Sequence, residues 1–176
     1  VTSAAFSSDG ERALSASNDF TARLWTLGTG ACACVFEGHG GVLTSAVFSS
    51  DDTLVLTASL DATAKVWMAS TGDCLLTLEG HVECLLSASF SADDRLVVTT
   101  SNDNTARIWT TATGDCVKTL QGHGWHINTA VFSADGGWVL TASNDHLAKL
   151  WSVGSGDCIQ TFHGHKGHVV VAGFAP

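Results

Sequence analysis

The chain has 176 residues, 45% of them hydrophobic and only 14% charged, which is too apolar for a disordered polymer and long enough to bury a substantial core. Eight Lys and Arg against 17 Asp and Glu leave a net charge of −9, so the clustered cations that bind phosphates are lacking and neither nucleic acid nor membrane is expected as a partner. No apolar run approaches the roughly 18 residues that span a bilayer, and the first residues lack a signal-peptide pattern, so a soluble, cytoplasmic protein is expected.

One Pro and 18 Gly suggest many tight turns, and the turns recur. Trp25, Trp67, Trp109 and Trp151 are spaced by 42 residues, as are Gly38-His39, Gly80-His81, Gly122-His123 and Gly164-His165. Taken in chain order, the units run over about 1–36, 43–78, 85–120 and 127–162, with the start of a further unit at 165–176. The second unit reads as LTSAVF from Leu43 to Phe48, an acidic turn, TLVLTAS from Thr53 to Ser59, and a turn around Leu60-Asp61. AKVW from Ala64 to Trp67 and CLLTL from Cys74 to Leu78 complete it. Short runs rich in Val, Leu and Thr between brief turns make a four-stranded antiparallel meander, and its repetition at this period makes propeller blades.

Each full unit also carries a His, a Ser 20 residues later, an Asp two further on and a Trp six beyond that. These are His39, Ser59, Asp61 and Trp67; His81, Ser101, Asp103 and Trp109; and His123, Ser143, Asp145 and Trp151. Ser, His and Asp together suggest a hydrolase. Catalysis, however, needs one constellation beside one substrate pocket, whereas identical copies point to something every blade requires, so no catalytic residue is assigned.

Six cysteines and the cluster His163, His165 and His168 raise a metal or disulfide question. Cys32, Cys74, Cys116 and Cys158 share the 42-residue period, so they lie on separate blades, too far apart to bridge, and are expected as buried or half-buried thiols. Cys32 and Cys34 lack a second ligand pair. His165 belongs to the repeat, and His163 replaces Glu37, Glu79 and Gln121 at a surface position. No metal and no cofactor are expected.

The pattern GHGGVLTSAVFSSDDTLVLTASLDATAKVWMASTGDCLLTLEGH resembles the WD40 repeat along the whole chain, although Thr26, Met68, Thr110 and Ser152 stand where an Asp usually follows the Trp. The resemblance implies an all-β fold of WD40-type blades forming an arc of a larger seven- or eight-bladed ring. It also implies a hydrogen-bonded chain in each blade through the Trp indole, the Ser hydroxyl, the His and the Asp. By the same likeness, positions on the narrow upper face are Val42, Cys84, His126 and His168; Thr44, Leu86, Asn128 and Val170; and Asn18, Leu60, Asn102 and Asn144. Trp125, beside His126, either anchors a partner or folds back onto its own blade. The turn aspartates are expected to form an acidic lower rim.

The function implied is a non-enzymatic scaffold that presents its loops to protein or peptide partners. The alternatives are a sensor segment of a larger signalling NTPase, although no Gly-rich phosphate loop is present, and a structural subunit of a large assembly. Further blades from the parent chain, or a second copy, are expected to complete the ring.

Overall fold

The computed structural model describes residues Val1–Ala175; Pro176, the end of the 165–176 segment, lies outside the described residues. Blade 1 comprises β1 (Ser3–Phe6), β2 (Arg12–Ala16), β3 (Ala22–Thr26) and β4 (Ala31–Phe36). Blade 2 comprises β5 (Leu43–Phe48), β6 (Leu54–Ser59), β7 (Ala64–Met68) and β8 (Cys74–Leu78). Blade 3 comprises β9 (Leu85–Phe90), β10 (Leu96–Ser101), β11 (Thr105–Thr110) and β12 (Cys116–Gln121). Blade 4 comprises β13 (Ile127–Phe132), β14 (Trp138–Ser143), β15 (Ala148–Ser152) and β16 (Cys158–Phe162). Each blade is an antiparallel sheet whose strands pair in sequence order, and the four sheets do not close into a ring.

Burial comes from stacking. In β6, β10 and β14 five of the six residues are buried, on both faces of the strand, because each blade packs on a preceding blade through one face and presents the other to the next segment of chain. The first interface sets Leu14, Ala16, Ala22, Leu24 and Phe36 of blade 1 against Leu43, Ala46, Val55 and Trp67 of blade 2. The same arrangement joins Val66 and Leu78 to Val97 and Trp109, and then Ile108 and Leu120 to Val139 and Trp151. Phe36 and Trp67 meet with ring centroids 5.9 Å apart.

The lower-face turns add polar clasps across these joints. Asp52 accepts from the Ser8 N–H and hydroxyl at 2.9 and 2.7 Å, and Asp94 accepts from Ser50 at 2.9 and 2.6 Å. Both aspartates hold positive φ, 58° and 57°. The third joint has Ala92 and Gly136 at the corresponding positions and a cleft of about 310 Å³ in place of the clasp. The expectation of an acidic rim is therefore corrected for Asp52 and Asp94, whose carboxylates face a neighbouring blade.

The cysteine reading is corrected as well. Cys32, Cys74, Cys116 and Cys158 are exposed, and only Cys34 and Cys84 are partly covered. Each exposed thiol sits on a fourth strand, opposite the Trp at a register shift, where the outer edge of the blade meets solvent.

Candidate functional site

The upper face of each complete blade is organised by one buried polar chain. In blade 2 the Trp67 indole N–H donates to Thr57 Oγ1 at 2.9 Å, Thr57 Oγ1 lies 2.7 Å from His39 Nε2, and His39 Nδ1 lies 2.8 Å from Asp61 Oδ2. Blades 3 and 4 repeat it through Trp109, Thr99, His81 and Asp103, and through Trp151, Thr141, His123 and Asp145. The indole can only donate and the carboxylate only accept; with the imidazole neutral, its Nδ1–H donates to the aspartate and the threonine hydroxyl donates to Nε2. Burial pushes each of these histidines below the ordinary imidazole range, against the opposing pull of its aspartate. Burial raises the Asp61 and Asp103 carboxyls, but hydrogen bonds from Thr63 and Thr105 and from the histidines outweigh it and hold both low.

This corrects the expected role of the serines. Ser59, Ser101 and Ser143 are buried on the second strand but do not bond the Trp or the His. Their hydroxyls instead accept the backbone N–H of Asp61, Asp103 and Asp145 at 3.0–3.1 Å. Ser101 and Ser143 also donate to the carbonyls of Glu83 and Trp125 at 3.0 Å, which ties the entry loop to the blade. The threonine node was overlooked in the sequence, although Thr57, Thr99 and Thr141 recur at the same period. With the serine hydroxyls engaged in this way, no Ser–His hydrogen bond forms among the described residues.

A family model described as WD domain, G-beta repeat matches residues 1–26, 30–68, 72–110 and 114–152, four times along the chain. The chain belongs to the WD40 family. The second to fourth WD40 matches each begin just before the fourth strand of one blade and end in the third strand of the next, so the sequence repeat bridges the joint between structural blades. Comparison with curated proteins returned no match. WD40 domains are typically non-catalytic surfaces that bind other proteins.

On this WD40 arc the proposed upper-face positions come together in pairs. Leu60 N–H donates to the Val42 carbonyl, Asn102 to Cys84 and Asn144 to His126, each at 2.9 Å, so both members of each pair stand on the same rim. Thr44 turns inward to the Ala58 carbonyl at 3.2 Å, Leu86 is half-buried, and Asn128 Nδ2 donates to Asn144 Oδ1 at 2.8 Å and to the Val169 carbonyl at 2.9 Å. Asn18 lies on the exposed turn of blade 1, and Val170 is exposed on the C-terminal segment.

Blade 4 carries the densest aromatic group. Trp125 is 51% exposed, with His126 edge-on at 6.0 Å and His168 at 5.8 Å between ring centroids. The indole is therefore half exposed beside these two imidazoles. His146, overlooked in the sequence, stands 5.5 Å from His168. It is the third residue of the Asn144-Asp145-His146 turn, at φ 72°, and its counterparts Phe20, Ala62 and Asn104 differ between blades, which was the available signal. His168 Nδ1 donates to the Asn144 carbonyl at 2.7 Å, while His163 and His165 are exposed. Among the described residues no group of three or more His, Cys, Asp or Glu could hold a metal ion.

Proposed function

We propose that this chain is a non-enzymatic interaction scaffold whose upper face binds a protein or peptide through Trp125 and the imidazoles around it. The observation that carries this reading is the 51% exposure of Trp125 on a backbone that is itself held, because Ser143 donates to the Trp125 carbonyl at 3.0 Å. A rigid aromatic side chain displayed from a fixed loop loses little conformational entropy on binding and removes much apolar surface from water. Val82, 81% exposed, and Leu60 extend the apolar rim toward blades 3 and 2. Asn102, Asn128 and Asn144 supply neutral polar groups, and Cys84 and His126 complete the face. The low count of Lys and Arg favours protein over nucleic acid or an anionic membrane as the partner.

At the two ends of the arc the matching partners are surfaces shaped like further blades. The upper-face reading is tested by affinity capture with the full chain and identification of the retained proteins, repeated with Trp125→Ala and His126→Ala. Partners retained by the unaltered chain and lost from both variants support it; equal retention by all three removes Trp125 from the site.

A further inference from the structure

The outer face of blade 4 duplicates the covered face of blade 1. Leu14, Ala16, Ala22, Leu24 and Phe36 of blade 1 have as counterparts Leu140, Ala142, Ala148, Leu150 and Phe162, residue for residue the same. Phe36 is 1% exposed beneath Trp67, whereas Phe162 is 47% exposed. The complementary surface stands at the other end of the same chain. Val1, Ala4, Ala13 and Trp25 are the counterparts of Leu43, Ala46, Val55 and Trp67, and Trp25 is only partly buried where the other three repeat tryptophans are fully buried.

The polar chain is divided in the same way. In blade 1 the Trp25 indole donates to Ser15 at 2.9 Å, with Asp19 in the adjacent turn, and among the described residues no histidine bonds to them. His165 stands at the repeat position of His39 and has no hydrogen-bond partner among the described residues. A Cβ at Gly38 would touch Trp67 at 3.4 Å, whereas one at Gly164 would have nothing within 4 Å. The place above Gly164 and Phe162 has the lining of a tryptophan seat.

Resting on the reading of the arc's ends as blade-binding surfaces, we propose that the outer face of blade 4 receives blade 1 of a second copy of this chain. Trp25 of that copy sits on Phe162, and His165 bonds its Ser15 and Asp19. The contact is head-to-tail, joining two different faces, and a ring of copies leaves neither face open.

One segment stands in the way. The Val169 N–H donates to the Ser143 carbonyl at 3.0 Å, the counterpart of the bond from Leu43 to Ser17, so the C-terminal segment already holds the seat of a first strand. Its described residues belong to no sheet and are also tied by Asn128 to the Val169 carbonyl, by Thr129 to the Val170 carbonyl and by His168 Nδ1 to the Asn144 carbonyl. β1, by contrast, is paired with β2 over Ser3–Phe6. The incoming β1 displaces residues 169–175, which act as a removable cover.

Sedimentation across a concentration series tests this, using the full chain, a form ending at Gly167, and the variants Leu150→Glu and Ala13→Glu, each checked for an unchanged circular dichroism spectrum. The expected result is association beyond one 18.3 kDa chain, tightened about 10-fold or more by the shortening because a competing state is removed. Each variant alone sediments as a single chain. An equimolar mixture of the two forms pairs, since the intact outer face of one meets the intact blade 1 of the other. Single chains in the mixture, association by either variant alone, or weakening on shortening each overturns the proposal. Capture by Trp125 is scored on the single-chain variants, so failure of one reading is distinguishable from failure of the other.

Discussion

Thr57 stands between the Trp67 indole and the His39 imidazole, 2.9 Å from one and 2.7 Å from the other. Its hydroxyl both accepts from the indole and donates to the imidazole, so it sets the direction of every proton from Trp67 to Asp61. Blade 1 keeps the acceptor without the methyl: Ser15 takes the same place under Trp25 at 2.9 Å.

Replacing Thr99 with Val therefore leaves the Trp109 indole and His81 Nε2 buried without partners, at a cost of about 1–3 kcal/mol, while Thr99→Ser lies within about 1 kcal/mol of the unaltered chain. Asp103→Ala destabilises by the same mechanism, since it leaves His81 Nδ1 with only the Thr105 hydroxyl at 3.4 Å and removes the acceptor of the Val82 and Thr105 N–H groups. Urea unfolding of the three variants checks this; equal stability of Thr99→Val and Thr99→Ser removes the hydroxyl from the account.

Acidification destabilises the fold in a definite window. His39, His81 and His123 titrate below the ordinary 6.5 when folded, so the unfolded chain binds more protons and stability rises with pH there. The contribution is complete above about pH 6.5 and is lost as pH falls through the lower folded values. Asp61, Asp103 and Asp145, held below 3.8, extend the loss to stronger acid. Urea midpoints should fall between about pH 7.5 and about pH 5; a flat profile would mean that the histidines are not held neutral.

The joint between blades 3 and 4 can be strengthened. Ala92→Ser with Gly136→Asp installs the clasp that Ser8–Asp52 and Ser50–Asp94 make at the other two joints. Gly136 already has φ 69°, near the 58° and 57° of the two aspartates, and nothing lies within 4 Å of its Cβ position. The pair of substitutions should add about 1 kcal/mol, a rise in Tm of roughly 2–4 °C, with either substitution alone giving less. Additive single effects in a double-mutant cycle would show that the clasp does not form.

Trp125→Ala is expected to change stability by less than about 0.5 kcal/mol, because the side chain is half exposed and its loop is held by the backbone bond to Ser143. A thermal melt checks this. A loss of several degrees would place the indole in the fold and not in an interface.

The blades were legible in the residues alone. Strands of four to six residues and their turns are local, and a period repeated four times fixes them: LTSAVF and CLLTL match β5 and β8 end for end. The pairing of Val42 with Leu60, Cys84 with Asn102 and His126 with Asn144 at one end of each blade follows from the same local order. Which hydroxyl serves the tryptophan could not. Thr57 and Ser59 are two residues apart and so point to the same face of β6. The choice is made by the register with β7, which sets Val55 opposite Trp67 and so brings Thr57 within diagonal reach of the indole, with Ser59 beyond it. The exposure of Trp125 and Phe162 and the inward turn of Asp52 likewise emerge only when the blades stack. Burial depends on which neighbouring surface is present, and a periodic sequence writes the same residue at a covered joint and at an open one.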